Sequence, residues 1–182
     1  MHLRRVLDGL YLVSGWLAGL FLIAILILMM ALSVGRELGV NLKSGDDITA
    51  WCMASMAFLG LAHTFKSGEM IRVGLLTERL KGTARWVAEL FSLAMASLIL
   101  GYFAWHVVSM VYTSWLVHDM STGVLAIPLW IPQSGFALGL VILFIAVVDE
   151  LAHVIKGNAP RYEREPPRTA EEAIERAAAS GV

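Results

Sequence analysis

Four long apolar stretches, Leu10 to Val34, Ile48 to Phe65, Leu90 to Val117 and Gln133 to Val148, constrain this chain more than any other feature. A bilayer core needs about 20 consecutive apolar residues from a helix, and each stretch approaches or exceeds that with its flanks included. With 58% of its 182 residues hydrophobic, the chain lacks the polar surface to coat a soluble globule of its size. The expected architecture is an all-α integral membrane protein of four transmembrane helices, spanning approximately 10–34, 48–65, 86–113 and 132–154 within a membrane domain of 1–156.

Basic residues orient these spans. Arg4 and Arg5 precede the first; Lys66, Arg72, Arg79, Lys81 and Arg85 lie between the second and third; Lys156, Arg161, Arg164, Arg168 and Arg176 follow the fourth. The segment between spans one and two holds only Arg36 and Lys43, and the one between spans three and four holds none. Basic residues beside a span resist translocation, which places both termini and the middle loop in the cytoplasm. The formal net charge of -1 gives no footprint for nucleic acid, because topology already accounts for the basic residues. One cysteine, Cys52, excludes an intrachain disulfide and reads as a small buried hydrophobe. The Arg4-Arg5 start imitates a signal peptide, but the apolar run after it is too long for an h-region of about 7–15 residues, so it is retained as a helix.

Two glycine pairs at four-residue spacing, Gly15 with Gly19 and Gly135 with Gly139, allow close helix approach and are candidate packing positions for a larger membrane partner. Span two is rich in small residues, as in a helix packed by protein, and Asp46 and Asp47 stand where carboxylates cap a helix start. Span four is expected to begin at or after Pro132, which suits a first helical turn. Trp51, Trp115 and Trp130 near the outer boundary and Trp86 near the inner one read as anchors at headgroup level in contact with lipid. Residues 69–81 match a helix in the membrane interface, with Arg72 and Arg79 on its polar side. From 157 to 182 the composition turns to Pro, Glu and Arg, giving a flexible cytoplasmic tail in which Thr169 and Glu172 form a capping box.

Catalytic chemistry finds no support, since the chain has no phosphate-binding glycine loop, no HExxH and no Ser/His/Asp arrangement on a loop. No carboxylate falls at the middle of a span, which argues against a stand-alone small transporter. A haem-bearing oxidoreductase anchor would need two imidazoles at one depth. His63 and His153 lie near the inner boundary, whereas His106 lies about 30 Å above Trp86 at a helical rise of about 1.5 Å per residue, with His118 beyond it.

Three stretches together resemble the DctQ-type small membrane subunit of tripartite ATP-independent periplasmic (TRAP) transporters. They are Val34-Gly35-Arg36 after span one; Gly68-Glu69-Met70-Ile71-Arg72-Val73-Gly74-Leu75-Leu76 after span two; and the loop Ser121 to Pro132, with Pro128 and Trp130 leading into span four. Met70 and Gly74 depart from the histidine and aspartate that the family often has there. The resemblance implies a cofactor-free scaffold subunit in the bacterial inner membrane. It would act in sodium-coupled import of organic acids or related solutes, beside a large membrane subunit that holds the sodium ions and a periplasmic substrate-binding protein. It also marks Arg36, Ser121, Pro128, Trp130 and Pro132 as candidates for periplasmic docking or loop structure.

The orientation is testable by thiol labelling in intact cells. Single cysteines at Ser44 and Ser121 are expected to react with a membrane-impermeant reagent and one at Ser67 is not; the reverse pattern inverts the topology.

Overall fold

A computed structural model of the chain describes residues 2–39, 44–67, 83–123 and 125–157. The proposed interfacial helix at 69–81, with Arg72 and Arg79, and the tail beyond 157 lie outside the described residues. Four helices account for nearly all that is described: α1 (His2–Glu37), α2 (Gly45–Ser67), α3 (Thr83–Leu116) and α4 (Trp130–Ile155). Each is long and apolar enough to cross a membrane. Every helix extends past its expected span, and α1, with 36 residues, runs about 54 Å at 1.5 Å per residue.

Local chemistry sets the ends. α1 stops where Gly39 takes φ +74°, and α4 where Gly157 takes φ +80° and its N–H donates to the Val154 carbonyl at 2.9 Å. Glycine reaches this left-handed region without a Cβ clash. α2 opens with Asp46 and Asp47 in its first turn, and the Thr49 hydroxyl donates to the Gly45 carbonyl at 2.8 Å. After α3, His118 at φ 54° turns the chain. α4 begins at Trp130, two residues before the expected start at Pro132. Proline is tolerated there because N–H groups in the first turn have no intrahelical acceptor, so none is lost.

The helices form a row in the order α1, α2, α4, α3, with only slight contact between α1 and α4. α2 and α4 are central, α1 and α3 are the edges. Accordingly, 44% of the apolar stretch of α4 is buried inside the subunit against 11% of that of α1. α1 packs through one stripe, Leu7, Tyr11, Ser14, Ala18, Phe21, Ile25, Leu28 and Leu32, whose residues are all buried or half-buried. Its alternating spacing of four and three is the seam of near-parallel, left-handed packing. The core joins Leu59, Ala62 and Phe65 of α2 to Ile142, Leu143, Ala146 and Val147 of α4, with Leu93 of α3. A second cluster joins Ala104 and Val107 to Ala137 and Leu140.

The α2–α4 seam depends on glycine. A Cβ on Gly139 would lie 2.7 Å from the Leu59 nitrogen and 2.8 Å from the Phe58 carbonyl carbon, and one on Gly135 would crowd the Ser55 hydroxyl. Gly15 makes room for the His63 ring, 2.8 Å from where a Cβ would stand, whereas a Cβ on Gly19 would meet nothing within 4 Å. Three of the four glycines are therefore used between helices of this chain, and Gly19 is the one left facing outward. Ser44 is buried, so the exposed Glu37 is the better site for a labelling cysteine.

Gly139→Ala is expected to destabilise the isolated subunit by about 1–3 kcal/mol, as overpacking against a backbone does. Gly19→Ala should leave it unchanged. Thermal unfolding in detergent, followed by circular dichroism, reads both.

Candidate functional site: a charged junction and a folded arch

The N-terminal end of α1, the C-terminal ends of α2 and α4 and the start of α3 meet at one end of the row. Lys66 on α2 lies 3.8 Å from Asp8 on α1 and 3.7 Å from Asp149 on α4. The ammonium also stands 5.5 Å from the centre of the Tyr11 ring. One turn earlier on α2, His63 Nδ1 is 3.1 Å from the Tyr11 carbonyl, which also accepts the Ser14 hydroxyl at 2.8 Å. α3 joins through Trp86, whose indole N–H donates to the Val154 carbonyl at 3.3 Å. Arg85 donates to Glu89 at 3.2 Å, and Glu89 and Glu150 are both buried.

This junction can hold helices together, and its chemistry goes little further. Lys66 is held between two carboxylates on neighbouring helices and tethers both to α2. Exposed pairs of this length stabilise by about 0–1 kcal/mol, and Asp8, with its side chain 54% exposed, belongs in that class. Asp149, at 26%, is better shielded and is the stronger partner. Among the described residues no group of three His, Cys, Asp or Glu could hold a metal ion. Sequence reasoning took Lys66 only as a topogenic charge. The signal that could have found the junction is the shared depth of Asp8, Lys66 and Asp149 at the ends of three adjacent spans.

The opposite end is closed by the α3–α4 connection. Leu129 N–H donates to the Asp119 carbonyl at 3.0 Å and Ser121 N–H to the Ile127 carbonyl at 2.9 Å, which zips the loop into an arch through a Met120–Pro128 bridge. The Ser121 hydroxyl accepts the Gly123 N–H at 3.3 Å. Gly123 lies over the start of α2, where a Cβ would come 2.6 Å from an Asp47 oxygen. Ser121, Pro128, Trp130 and Pro132, singled out from sequence, thus belong to one folded unit. Arg36 does not join them: it is exposed on the last turn of α1.

Two apolar hollows adjoin the arch. One, of about 360 Å³, is bounded by Phe21, Ile48, Trp51, Cys52 and Ile127; the other, about 620 Å³, is an open groove between α3 and α4 with Trp115 and Trp130 at its arch end. Among the described residues neither has a charged side chain in its lining. Trp51 is half-buried in the first hollow, while Trp86, Trp115 and Trp130 are exposed, as rings at a membrane boundary would be. The histidines are dispersed: His63 sits in the α1–α2 contact, and His106 is exposed on α3, at the other edge of the row.

Four apolar helices with their charges at the ends define a multi-pass membrane protein. Residues 10–157 match the model of the DctQ component of the tripartite ATP-independent periplasmic transporters, and the chain belongs to that family. It is the small subunit of a TRAP transporter, a transport component. No individually curated protein matches it.

Lys66→Met is expected to lower the stability of the subunit by about 1 kcal/mol, and Lys66→Arg to retain most of it. In a double-mutant cycle, Lys66 should couple more strongly to Asp149 than to Asp8, and both couplings should shrink in high salt.

Proposed function

We propose that this chain is the stationary scaffold subunit of a sodium-coupled importer of organic acids or related solutes in the bacterial inner membrane, with both termini cytoplasmic. The large membrane subunit holds the solute and the sodium ions, and a periplasmic binding protein delivers the solute. The observation that carries this reading is where charge sits in a chain of this family. Among the described residues, Asp8, Arg36, Glu37, Asp46, Asp47, Lys66, Arg85, Glu89, Asp119, Asp149, Glu150 and Lys156 all lie within about three turns of a helix end or in the arch. A path for an ion or an acid through the membrane needs polar or charged groups at mid-depth. The mid-depth of α2 and α4 is instead filled by Leu59, Leu140 and Leu143. Such a seam suits a rigid support.

In vesicles reconstituted with all three components, omitting this subunit should abolish uptake driven by a sodium gradient. Asp149→Asn and His106→Gln should leave sodium dependence and solute affinity unchanged once transport is normalised to assembled complex. A shifted sodium dependence at normal assembly would overturn the scaffold reading. Arg36→Glu, at the exposed end of α1, is expected to slow transport in a salt-sensitive way if binding-protein docking is steered by charge there.

A further inference from the structure

The row has two edges, and their outer faces differ in kind. Between Leu12 and Leu32 the outward positions of α1 are Leu, Val, Ile, Met, Ala and Gly, with the Trp16 indole the single polar group. α3 is different. Its buried residues Glu89, Leu93, Ala104, Val107 and Ser114 line the side toward α4, and directly opposite runs the stripe Phe91, Met95, Leu98, Tyr102, His106, Ser109 and Thr113. Phe91, Leu98 and Tyr102 are each about two-thirds exposed, at 67%, 69% and 65%.

Part of this stripe is self-sufficient. The Ser109 hydroxyl donates to the Trp105 carbonyl at 2.8 Å and that of Thr113 to the Ser109 carbonyl at 2.9 Å, so both could face lipid without loss. His106 is not in that position. Its ring lies 4.4 Å from that of Tyr102, centroid to centroid, and among the described residues neither its nitrogens nor the Tyr102 hydroxyl makes a hydrogen bond. Counting about 1.5 Å per residue, His106 stands about 26 Å from Glu89 at the charged end and about 14 Å short of Trp115 at the arch end. That places it within a hydrocarbon core about 30 Å thick, toward its arch-end boundary. An imidazole and a phenol aimed outward at that depth are costly in lipid and find partners on another helix.

We propose that the Tyr102–His106 face of α3 is the surface that docks against the large membrane subunit, whose facing helix supplies a hydrogen-bonding group at the depth of His106, while α1 turns its outer face to lipid. This rests on the scaffold reading above and adds which edge of the row carries the contact. A second copy of this chain, or lipid alone, are the competing occupants.

The test uses the complex of this chain with its cognate large subunit. A photo-crosslinking amino acid is placed singly at Leu98 and Ser109 on α3, or at Leu20 and Ile27 on α1. Adducts with the large subunit are expected from the α3 positions and not from the α1 positions. Adducts only from α1, adducts between two small subunits from α3, or lipid adducts alone would each overturn the proposal. In parallel, His106→Leu should reduce the large subunit retained by a tagged copy by about threefold or more, the scale of an interhelical polar contact in lipid. His106→Gln, which keeps a hydrogen-bonding group, should retain most of it. The isolated His106→Leu subunit should melt no lower than the wild type, since the side chain is exposed there. If His106→Leu leaves retention equal or improved, α3 faces lipid and the interface is refuted. A wild-type copy that retains no large subunit refutes the scaffold reading itself.

Discussion

Helices already in lipid gain nothing from hiding apolar surface, because the tails around them are as apolar as leucine. Association then depends on how closely backbones approach and on polar groups that find partners. In this subunit that dependence is concentrated on the seam between α2 and α4, where Gly139 lets α4 rest on the backbone of Phe58 and Leu59. α1 is attached to α2 and α3 to α4. Neither edge helix makes more than slight contact across the row, so a change at the central seam moves everything.

The ends of the row are fixed by different means. At one end Lys66 tethers three helices through Asp8 and Asp149, and Trp86 attaches the fourth through the Val154 carbonyl. At the other, the arch spans α3 and α4 and lays Gly123 against Asp47 on α2. Between them the core is almost wholly apolar. Polar contacts lie where water and headgroups lower the cost of charge, and close packing occupies the depth where charge would be expensive. A slab held at both ends and tightly packed at its centre resists shear.

Much of this was legible from sequence, for physical reasons. An apolar run that approaches or exceeds about 20 residues with its flanks has one stable fate in a bilayer, so the four helices followed from length, whereas the ends at Gly39 and Gly157 came from the structure. Neighbour choice was not legible. A GxxxG pair announces that something comes close without saying what: Gly15 receives a histidine ring, Gly139 a backbone, and Gly19 nothing within 4 Å among the described residues. The Lys66 junction was hidden because its three charges are spread over residues 8 to 149 and meet only once the helix order is known. The arch was partly visible as a Ser/Pro/Trp loop, but its hydrogen bonds back onto itself are set by register that composition does not carry.

A row, unlike a closed bundle, leaves two whole helix faces without a neighbour among the described residues. For α1 the sequence resolves this cheaply, since a mainly aliphatic outer face, with the Trp16 indole its single polar group between Leu12 and Leu32, is at home in lipid. For α3 the same solution would strand an imidazole and a phenol in hydrocarbon, although the neighbouring serine and threonine hydroxyls on that stripe are satisfied by their own helix. Self-satisfied polar groups carry no information about surroundings, whereas unsatisfied ones do, because their cost must be offset by a partner. The two edges therefore answer different environments, and the asymmetry between them gives a four-helix slab a lipid side and a protein side.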